Sequence, residues 1–209
     1  VSRLAPKATW HYLEITPVAS GTEITIRGRD GVMIESKTSL HGGFNLDNLL
    51  LAVAIAYHCG ADPLQLAQVI PSLSGAAGRL ESIELGQEFK AFVDYAHSPD
   101  AVVNALAAVK ELTPGRVIAI LGCGGDRDSS KRPLMGQALK QGSDIAIFTS
   151  DNPRSEDPAT ILSQMISDIE VNEPSRTIVE REKAIEYAVS IARTGDSIVV
   201  LGKGHETGQ

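Results

Sequence analysis

The stretch VIAILGCGGDRD, residues 117–128, decides the fold of this chain. Its first five residues are apolar on both faces, which is typical of a buried parallel strand, and the glycines that follow indicate a tight turn. The same alternation of an apolar strand with a helical pattern recurs along the second half of the chain. The predicted strands are residues 89–95, 116–121, 145–149, 176–179 and 197–201, and the predicted helices are residues 99–112, 132–142, 158–169 and 182–193. We therefore predict an α/β domain with a Rossmann-like, doubly wound and mostly parallel sheet.

The first part of the chain has a different pattern. Three short β-branched runs, at residues 10–17, 22–27 and 32–37, predict an antiparallel meander. Apolar residues at helical spacing then predict one helix over residues 45–59, and a second helix begins at Asp62-Pro63 and runs to about Ser72. A small, polar stretch follows, so we predict a domain boundary that divides the chain into residues 1–77 and 78–209.

The composition excludes several classes of protein. Of the 209 residues, 43% are hydrophobic and 22% are charged, which is enough apolar material for a packed core rather than a disordered chain. The net charge of −7 argues against binding to nucleic acid or to anionic membranes. The two cysteines cannot build a disulfide framework, and no apolar run approaches the ~18 residues of a membrane span. We expect a cytoplasmic monomer that contacts neither nucleic acid nor membrane.

Charged and glycine-rich segments follow four of the five predicted strands. Ligands of open parallel sheets bind outside the carboxyl ends of the strands, so these segments should converge on one rim. They are DYAHSPD at residues 94–100, GCGGDRD at 122–128, SDNPR at 150–154 and GKGHE at 202–206. Arginine, lysine and glycine amides suit a polyanion such as a nucleotide, and the carboxylates suit Mg²⁺ or a cationic substrate group. Each glycine turn or histidine taken alone could equally be structural, so the convergence carries the prediction of a nucleotide site beside a zwitterionic or cationic site.

These same segments resemble the Mur ligase family, the ATP-dependent amide-bond ligases of peptidoglycan precursor synthesis. The matching strings are VDYAHSPD at residues 93–100, LGCGGDRD at 121–128, KRPLM at 131–135 and GKGHE at 202–206. The DNPR string at residues 151–154 resembles the motif that selects meso-diaminopimelate rather than lysine. Ser98 stands where threonine is common in the family, which keeps the hydroxyl.

The resemblance covers essentially the whole chain. GGFNLDN at residues 42–48 is similar to the helix start that closes the family's central ATPase domain, and GRLE at 78–81 is similar to the hinge into its C-terminal domain. The resemblance therefore implies that residues 1–77 are the C-terminal part of a mixed α/β ATPase domain. Residues 78–209 would then be the amino-acid-binding domain, slightly truncated at its end.

The resemblance also implies roles for individual residues. The expected meso-diaminopimelate-binding residues are Arg127, Asp151, Asn152, Pro153, Arg154, Gly202 and Glu206, and the expected ATP-binding residues are Asn45, Asn48, Arg79, Asp94 and His97. His97 and Lys131 are the catalytic candidates, and no residue is expected to bind a metal. Arginine and amide groups can bind the carboxylates of diaminopimelate, and Asp151 and Glu206 can bind its ammonium groups.

The reaction implied by the resemblance uses ATP and Mg²⁺. The γ-carboxylate of UDP-MurNAc-L-Ala-D-Glu becomes an acyl phosphate, and the diaminopimelate amine then displaces phosphate. The 209 residues contain no G-x-x-G-K-[ST] P-loop, and the chain begins at Val1 rather than at methionine. We therefore expect the chain to be part of a longer enzyme and to be inactive as a ligase by itself.

Other functions remain open at this level. A folylpolyglutamate synthase or another Mur ligase would share the architecture. A non-catalytic Rossmann-like nucleotide-binding domain, or an NAD-binding oxidoreductase domain, would belong to a different class. The first strand–helix turn lacks G-x-G-x-x-G, which argues against NAD.

Overall fold

A computed structural model describes residues 1–18, 21–40 and 42–204. The chain divides into two compact units, Val1–Gly75 and Ala76–Gln209. This division lies two residues before the boundary predicted from the sequence. That the first unit belongs to an ATPase domain and the second binds an amino acid stays a prediction.

The first unit is a three-stranded antiparallel meander with two helices. Its elements are β1 (His11–Val18), β2 (Gly21–Arg27), β3 (Met33–Thr38), α1 (Gly43–His58) and α2 (Pro63–Val69), in the sheet order β1-β2-β3. The core consists of side chains such as Trp10, Ile26 and Leu50, all at most 2% exposed. The Asp62 carboxylate accepts a hydrogen bond from the Leu64 backbone amide, as expected of the N-cap of α2. The second helix is shorter than predicted because its last turn, Ile70–Ser72, is a 3-10 helix that includes a proline.

The second unit is a six-stranded sheet covered by four helices. Its strands are β4 (Glu81–Ser82), β5 (Lys90–Asp94), β6 (Val117–Cys123), β7 (Ile145–Ser150), β8 (Arg176–Thr177) and β9 (Ser197–Leu201), and its helices are α3 (Pro99–Leu112), α4 (Lys131–Gly142), α5 (Pro158–Met165) and α6 (Arg181–Ile191). The sheet order is β4-β5-β9-β6-β7-β8, and every pairing is parallel except that of β4 with β5. The predicted α/β class and the mostly parallel sheet are confirmed. The prediction missed β4 and extended α5 by four residues.

The connections explain why helices cover both faces of this sheet. The chain steps from β5 to β6, β7 and β8 in one direction and then returns to β9 between β5 and β6. Since parallel crossovers are right-handed, α3, α4 and α5 lie on one face and α6 lies on the other. The small residues Ala184 and Ala188 of α6 pack against Ile118, Ile147 and Ile198 of the central strands. The described part of the chain has no helix that is both long and apolar enough to cross a membrane.

Candidate functional site

The carboxyl ends of four neighbouring parallel strands form the rim that the sequence predicted. The sheet order places the segments after β5, β9, β6 and β7 side by side. These segments carry the charged and glycine-rich residues, so the topology converts four distant stretches of sequence into one edge of the second unit.

An arginine, a tyrosine and a histidine form a cluster after β5, which we call the β5 cluster. The Arg79 guanidinium carbon lies 5.0 Å from the centroid of the Tyr95 ring, a cation–π contact. The Tyr95 and His97 rings are 4.8 Å apart in an edge-on arrangement, and His97 Nδ1 lies 2.9 Å from the Tyr95 carbonyl oxygen. Arg79 and His97 are exposed. The cluster therefore presents a guanidinium and an imidazole to solvent, a pair suited to bind phosphate or carboxylate.

Asp94 lies beneath this cluster and is 5% exposed. One carboxylate oxygen accepts a hydrogen bond from the Leu80 backbone amide at 2.7 Å, and the other accepts one from the Ala96 amide at 2.8 Å. Burial raises the pKa of Asp94, and the two backbone amides and the Arg79 charge partly oppose that rise. Asp94 thus ties the segment that carries Arg79 to the end of β5, since both of its oxygens are already engaged by backbone.

The segments after β6 and β7, residues 124–128 and 151–157, pack against each other, and we call them the paired loops. The Gly125 amide donates a hydrogen bond to the Asn152 carbonyl at 2.9 Å, and Arg154 Nη1 donates one to the Gly125 carbonyl at 2.6 Å. A Cβ on Gly125 would overlap the Pro153 carbonyl oxygen, so only glycine permits this approach. The glycine turn after β6 therefore serves close packing against the DNPR segment.

Two residues of the paired loops hold an unusual backbone conformation. Asp126 has φ of 51° and Arg154 has φ of 50°, both in the left-handed region. The Asp126 carboxylate accepts hydrogen bonds from the Ser155 hydroxyl at 2.6 Å and the Ser155 amide at 3.3 Å, and the Asn152 side chain accepts one from the Arg154 amide at 3.3 Å. A non-glycine residue in this region costs roughly 1–2 kcal/mol, and such strain concentrates at functional sites.

An ion pair between a buried arginine and a half-buried glutamate supports the paired loops. Arg132, in the first turn of α4, is 2% exposed, and its two terminal nitrogens donate to the two Glu156 oxygens at 2.7 and 2.8 Å. The Arg132 guanidinium holds the pKa of Glu156 well below its usual range, at about 2. Glu156 is therefore an anion near neutral pH in the loop that carries Asn152 and Arg154.

A second buried arginine lies under the rim. Arg181, the first residue of α6, is 7% exposed, and its guanidinium donates to the carbonyls of Leu201 at 2.8 Å and Ser150 at 3.4 Å. These carbonyls directly precede Gly202 and Asp151. Burial lowers the pKa of Arg181, and the nearby Asp151 carboxylate opposes that shift. Arg181 therefore fixes two strand ends and places a positive charge near Asp151.

The segment after β9 connects the two groups of residues. Gly202 has φ of 102°, and a Cβ there would lie 3.2 Å from the Asp151 carboxylate. Two residues later, a Cβ on Gly204 would lie 2.9 Å from the Tyr95 side chain. Lys203 is half-buried between them. Residues 202–204 therefore run from the paired loops to the β5 cluster.

The structure brings most of the predicted residues of the second unit together. The residues that converge on the rim are Arg79, Asp94, His97, Arg127, Asp151, Asn152, Pro153, Arg154 and Gly202. Arg127 is exposed, and Lys131 is an exposed residue whose ammonium lies 3.7 Å from the Asp128 carboxylate. Asn45, which is buried, and Asn48, which is exposed, belong to α1 of the other unit. Glu206 lies outside the described residues.

The sequence placed Tyr95 and Arg132 in segments at the rim without giving them a role, and it did not single out Glu156 or Arg181. Three of these are charged residues in or beside the first turn of a helix or in a loop, where they look like ordinary surface residues. The available signal was position, because each lies at or beyond the carboxyl end of a predicted strand. In the described ranges 1–18, 21–40 and 42–204, no three histidine, cysteine or acidic side chains are arranged to hold a metal ion.

Comparison with known proteins identifies the family. Residues 78–204 match the family described as "Mur ligase, glutamate ligase domain". The chain belongs to the Mur ligase family. It is 45% identical over 184 residues, 87% of its length, to the UDP-N-acetylmuramoyl-L-alanyl-D-glutamate–2,6-diaminopimelate ligase of Syntrophomonas wolfei. It spans 37% of the length of that relative.

Solved structures agree with this assignment. A structure of a UDP-N-acetylmuramoyl-L-alanyl-D-glutamate–2,6-diaminopimelate ligase matches 97% of the chain with a TM-score of 0.71 and 36% identity, and the chain covers 42% of it. A folylpolyglutamate synthase of Mycobacterium tuberculosis complexed with ADP and AMPPCP matches 94% of the chain with a TM-score of 0.74, and the chain covers 46% of it. Since the second identity is only 20%, that likeness shows the shared fold and not a shared substrate.

Proposed function

We propose that this Mur ligase chain supplies the amino-acid-binding domain of an ATP-dependent ligase that joins meso-diaminopimelate to UDP-MurNAc-L-Ala-D-Glu. The observation that carries the proposal is the DNPR segment, whose Arg154 is held in a left-handed conformation against the Gly125 carbonyl while Asp151 lies beside Gly202. The relatives at 36% and 45% identity, both named as diaminopimelate ligases, support it.

The rim suits a molecule with several charges of both signs. Meso-diaminopimelate has two carboxylates and two ammonium groups at neutral pH. On our proposal, the exposed guanidinium groups of Arg127 and Arg154 and the Asn152 amide bind carboxylates by charge-assisted hydrogen bonds. Asp151, which is 9% exposed, receives an ammonium group. An arginine fork matches a planar carboxylate better than a lysine ammonium does, so arginine at these positions favours a substrate with an additional carboxylate.

The β5 cluster suits the activated end of the reaction. We propose that Arg79, held over the Tyr95 ring, and the neighbouring His97 bind phosphate oxygens of ATP or of the acyl phosphate. Fixed positive charge near transferring phosphate is the main way in which such sites stabilise charge. On this proposal, the bound amino acid lies along residues 202–204, and its reacting amine points toward the β5 cluster. ATP and Mg²⁺ also need a P-loop, which the 209 residues do not contain.

Titration calorimetry with the 209-residue chain tests the amino-acid site. We expect heat of binding with meso-diaminopimelate and weaker binding of L-lysine. Replacing Arg154 with alanine should weaken meso-diaminopimelate binding by roughly ten- to a hundredfold, because a charge-assisted hydrogen bond contributes about 1.5–3 kcal/mol. Arg193→Ala, which removes an exposed arginine that follows α6, is the matched control and should bind like the unmodified chain. Equal affinity for lysine, or binding of glutamate or NAD instead, would refute the assignment.

The expectation that the chain alone is inactive needs a second assay. The chain is incubated with ATP, Mg²⁺, UDP-MurNAc-L-Ala-D-Glu and meso-diaminopimelate, and phosphate release is followed. We expect no turnover, because nothing in the sequence can cradle the triphosphate in P-loop fashion. Sustained turnover would contradict that view of the chain. We also propose that the enzyme is a cytoplasmic monomer, which size-exclusion chromatography with light scattering and cell fractionation would check.

A further inference from the structure

The Arg132–Glu156 pair connects three parts of the second unit. Arg132 belongs to α4, and besides Glu156 it donates to the Gln164 side chain of α5 at 2.6 Å and the Gly124 carbonyl at 3.4 Å. Glu156 accepts a further hydrogen bond from the Asp126 backbone amide at 2.6 Å. One carboxylate thus contacts both the helix that follows the first of the paired loops and the backbone of that loop.

The pair adds a connection between the two loops to those made by Gly125 with Asn152 and by Asp126 with Ser155. Arg127 directly follows Asp126, which Glu156 holds through its amide. Arg154 precedes Glu156 by two residues in the other loop. The backbone segments that carry the two arginines are therefore connected through the Asp126–Glu156 hydrogen bond, and Arg132 of α4 anchors that connection. Glu156 thus contacts the backbone directly before Arg127 and lies in the same loop as Arg154.

A contribution to the stability of the fold does not by itself explain why this ion pair is present. Burying a guanidinium removes it from water, and well-packed apolar side chains often stabilise a fold as much as a buried ion pair does. An ion pair differs in fixing direction and distance, since a bidentate fork accepts one geometry. The pair lies between two loops that carry exposed arginines, so its fixed geometry can hold those arginines at a defined distance.

We propose that Arg132 and Glu156 are positioning residues that set the spacing between Arg127 and Arg154, and thereby the preference for a diamino acid with a second carboxylate. The inference rests on the proposed function, because it assumes that these two arginines bind the amino acid. Neither Arg132 nor Glu156 needs to touch the substrate. Losing the pair should affect meso-diaminopimelate more than lysine, which lacks the second carboxylate.

The second unit contains a control ion pair at the opposite, amino-terminal ends of the strands of the same sheet. Arg116 lies just before β6 and Asp196 just before β9, so both lie at the amino ends of the strands. Arg116 donates two hydrogen bonds to one Asp196 oxygen at 2.6 and 3.2 Å, and the Asp196 side chain is 5% exposed. This pair has the same chemistry and no predicted ligand residue beside it.

The test compares Glu156→Gln with Asp196→Asn in the full 209-residue chain. Calorimetry should show meso-diaminopimelate affinity falling by roughly tenfold or more in Glu156→Gln, with lysine affinity changing much less, as is typical when a supporting residue of a binding site is lost. Asp196→Asn should leave both affinities unchanged. Hydrogen exchange should accelerate in residues 124–128 and 151–157 only in Glu156→Gln.

The outcomes separate the inference from the proposed function. If the unmodified chain binds meso-diaminopimelate and Glu156→Gln binds it with the same preference over lysine, the inference is wrong. An equal loss in both variants would also overturn it, since it would reflect stability alone. If the unmodified chain binds no amino acid, the proposed function and the selectivity part of the inference both fail, and hydrogen exchange still decides whether the pair holds the loops together. Should Glu156→Gln not fold, Glu156→Asp keeps the charge but is too short to reach both partners, and the same criteria apply.

Discussion

Replacing Asp94 with asparagine should destabilise the second unit even when no ligand is present. The change preserves the shape of the side chain, but an asparagine has only one acceptor oxygen. Asp94 accepts hydrogen bonds from two buried backbone amides, those of Leu80 and Ala96. The asparagine NH₂ group would face one of these donors, which then loses its partner.

The expected magnitude follows from these contacts. A buried backbone N–H without a partner costs about 1–3 kcal/mol, and the remaining hydrogen bond loses roughly 1 kcal/mol of charge assistance. Part of this cost in stability is offset, because burial already disfavours the ionised carboxylate of Asp94 and raises its pKa. We therefore expect the free energy of unfolding to fall by about 1–3 kcal/mol near neutral pH.

Urea denaturation followed by far-ultraviolet circular dichroism measures this change, and hydrogen exchange at the Leu80 amide locates it. Asp157→Asn is the control, because Asp157 is an exposed N-cap of α5 whose carboxylate accepts from the Thr160 amide at 2.9 Å. Asparagine caps helices about as well as aspartate does, so the control should lose less than about 0.5 kcal/mol. If Asp94→Asn is as stable as this control and yet loses nucleotide binding in a complete ligase, Asp94 contacts the ligand and our structural reading of it is wrong.

Three further predictions concern the same unit. Asp196→Asn should lower the free energy of unfolding by roughly 1–2 kcal/mol at neutral pH. Because the pKa of Asp196 falls to about 2 in the folded state, this difference from the unmodified chain should persist above pH ~4 and shrink as the pH falls toward 2. A difference in unfolding free energy that persists at the lower pH would refute the prediction. Gly125→Ala should cost more than about 3 kcal/mol and abolish amino-acid binding, because its Cβ overlaps the Pro153 carbonyl, and wild-type stability in a thermal melt would contradict this contact. Burial raises the pKa of the Cys123 thiol to about 12, so iodoacetamide at pH 8 should alkylate the exposed cysteine that follows α1 and leave Cys123 unmodified, and comparable labelling of the two by mass spectrometry would count against that burial.

The sequence predicted the sheet and its rim well because both depend on local patterns. Strands β6 and β7 are buried at every position and begin with the apolar runs 117–121 and 145–148, the composition that a buried parallel strand needs. Once the strands are placed, the carboxyl-end segments must meet at one edge. The short strand β4 escaped prediction since Glu81–Ser82 contains no apolar residue and pairs only through its backbone with β5.

The supporting charges could not be predicted in the same way. Arg132 and Arg181 lie in first helical turns, where a sequence gives no reason to expect an arginine with 2% or 7% exposure. Their partners come from Glu156, 24 residues away, and from the Leu201 carbonyl, 20 residues away. Only the assembled sheet brings those atoms within reach. The glycine turn after β6 is the converse case, since its sequence was compatible with a phosphate cradle and the fold uses Gly125 for packing.

The difference in burial among the rim arginines is the strongest physical argument for a binding site here. Arg132 and Arg181 are buried, hydrogen-bonded to protein oxygens and therefore expensive in desolvation, which lowers the pKa of Arg181. Arg127 and Arg154 are exposed on loops that those two arginines help to hold in place. A fold that needed only stability could use apolar residues at the buried positions. Buried guanidinium groups that fix the backbone beneath exposed ones are explained if the distance between the exposed charges matters, as it does for binding a ligand with two carboxylates.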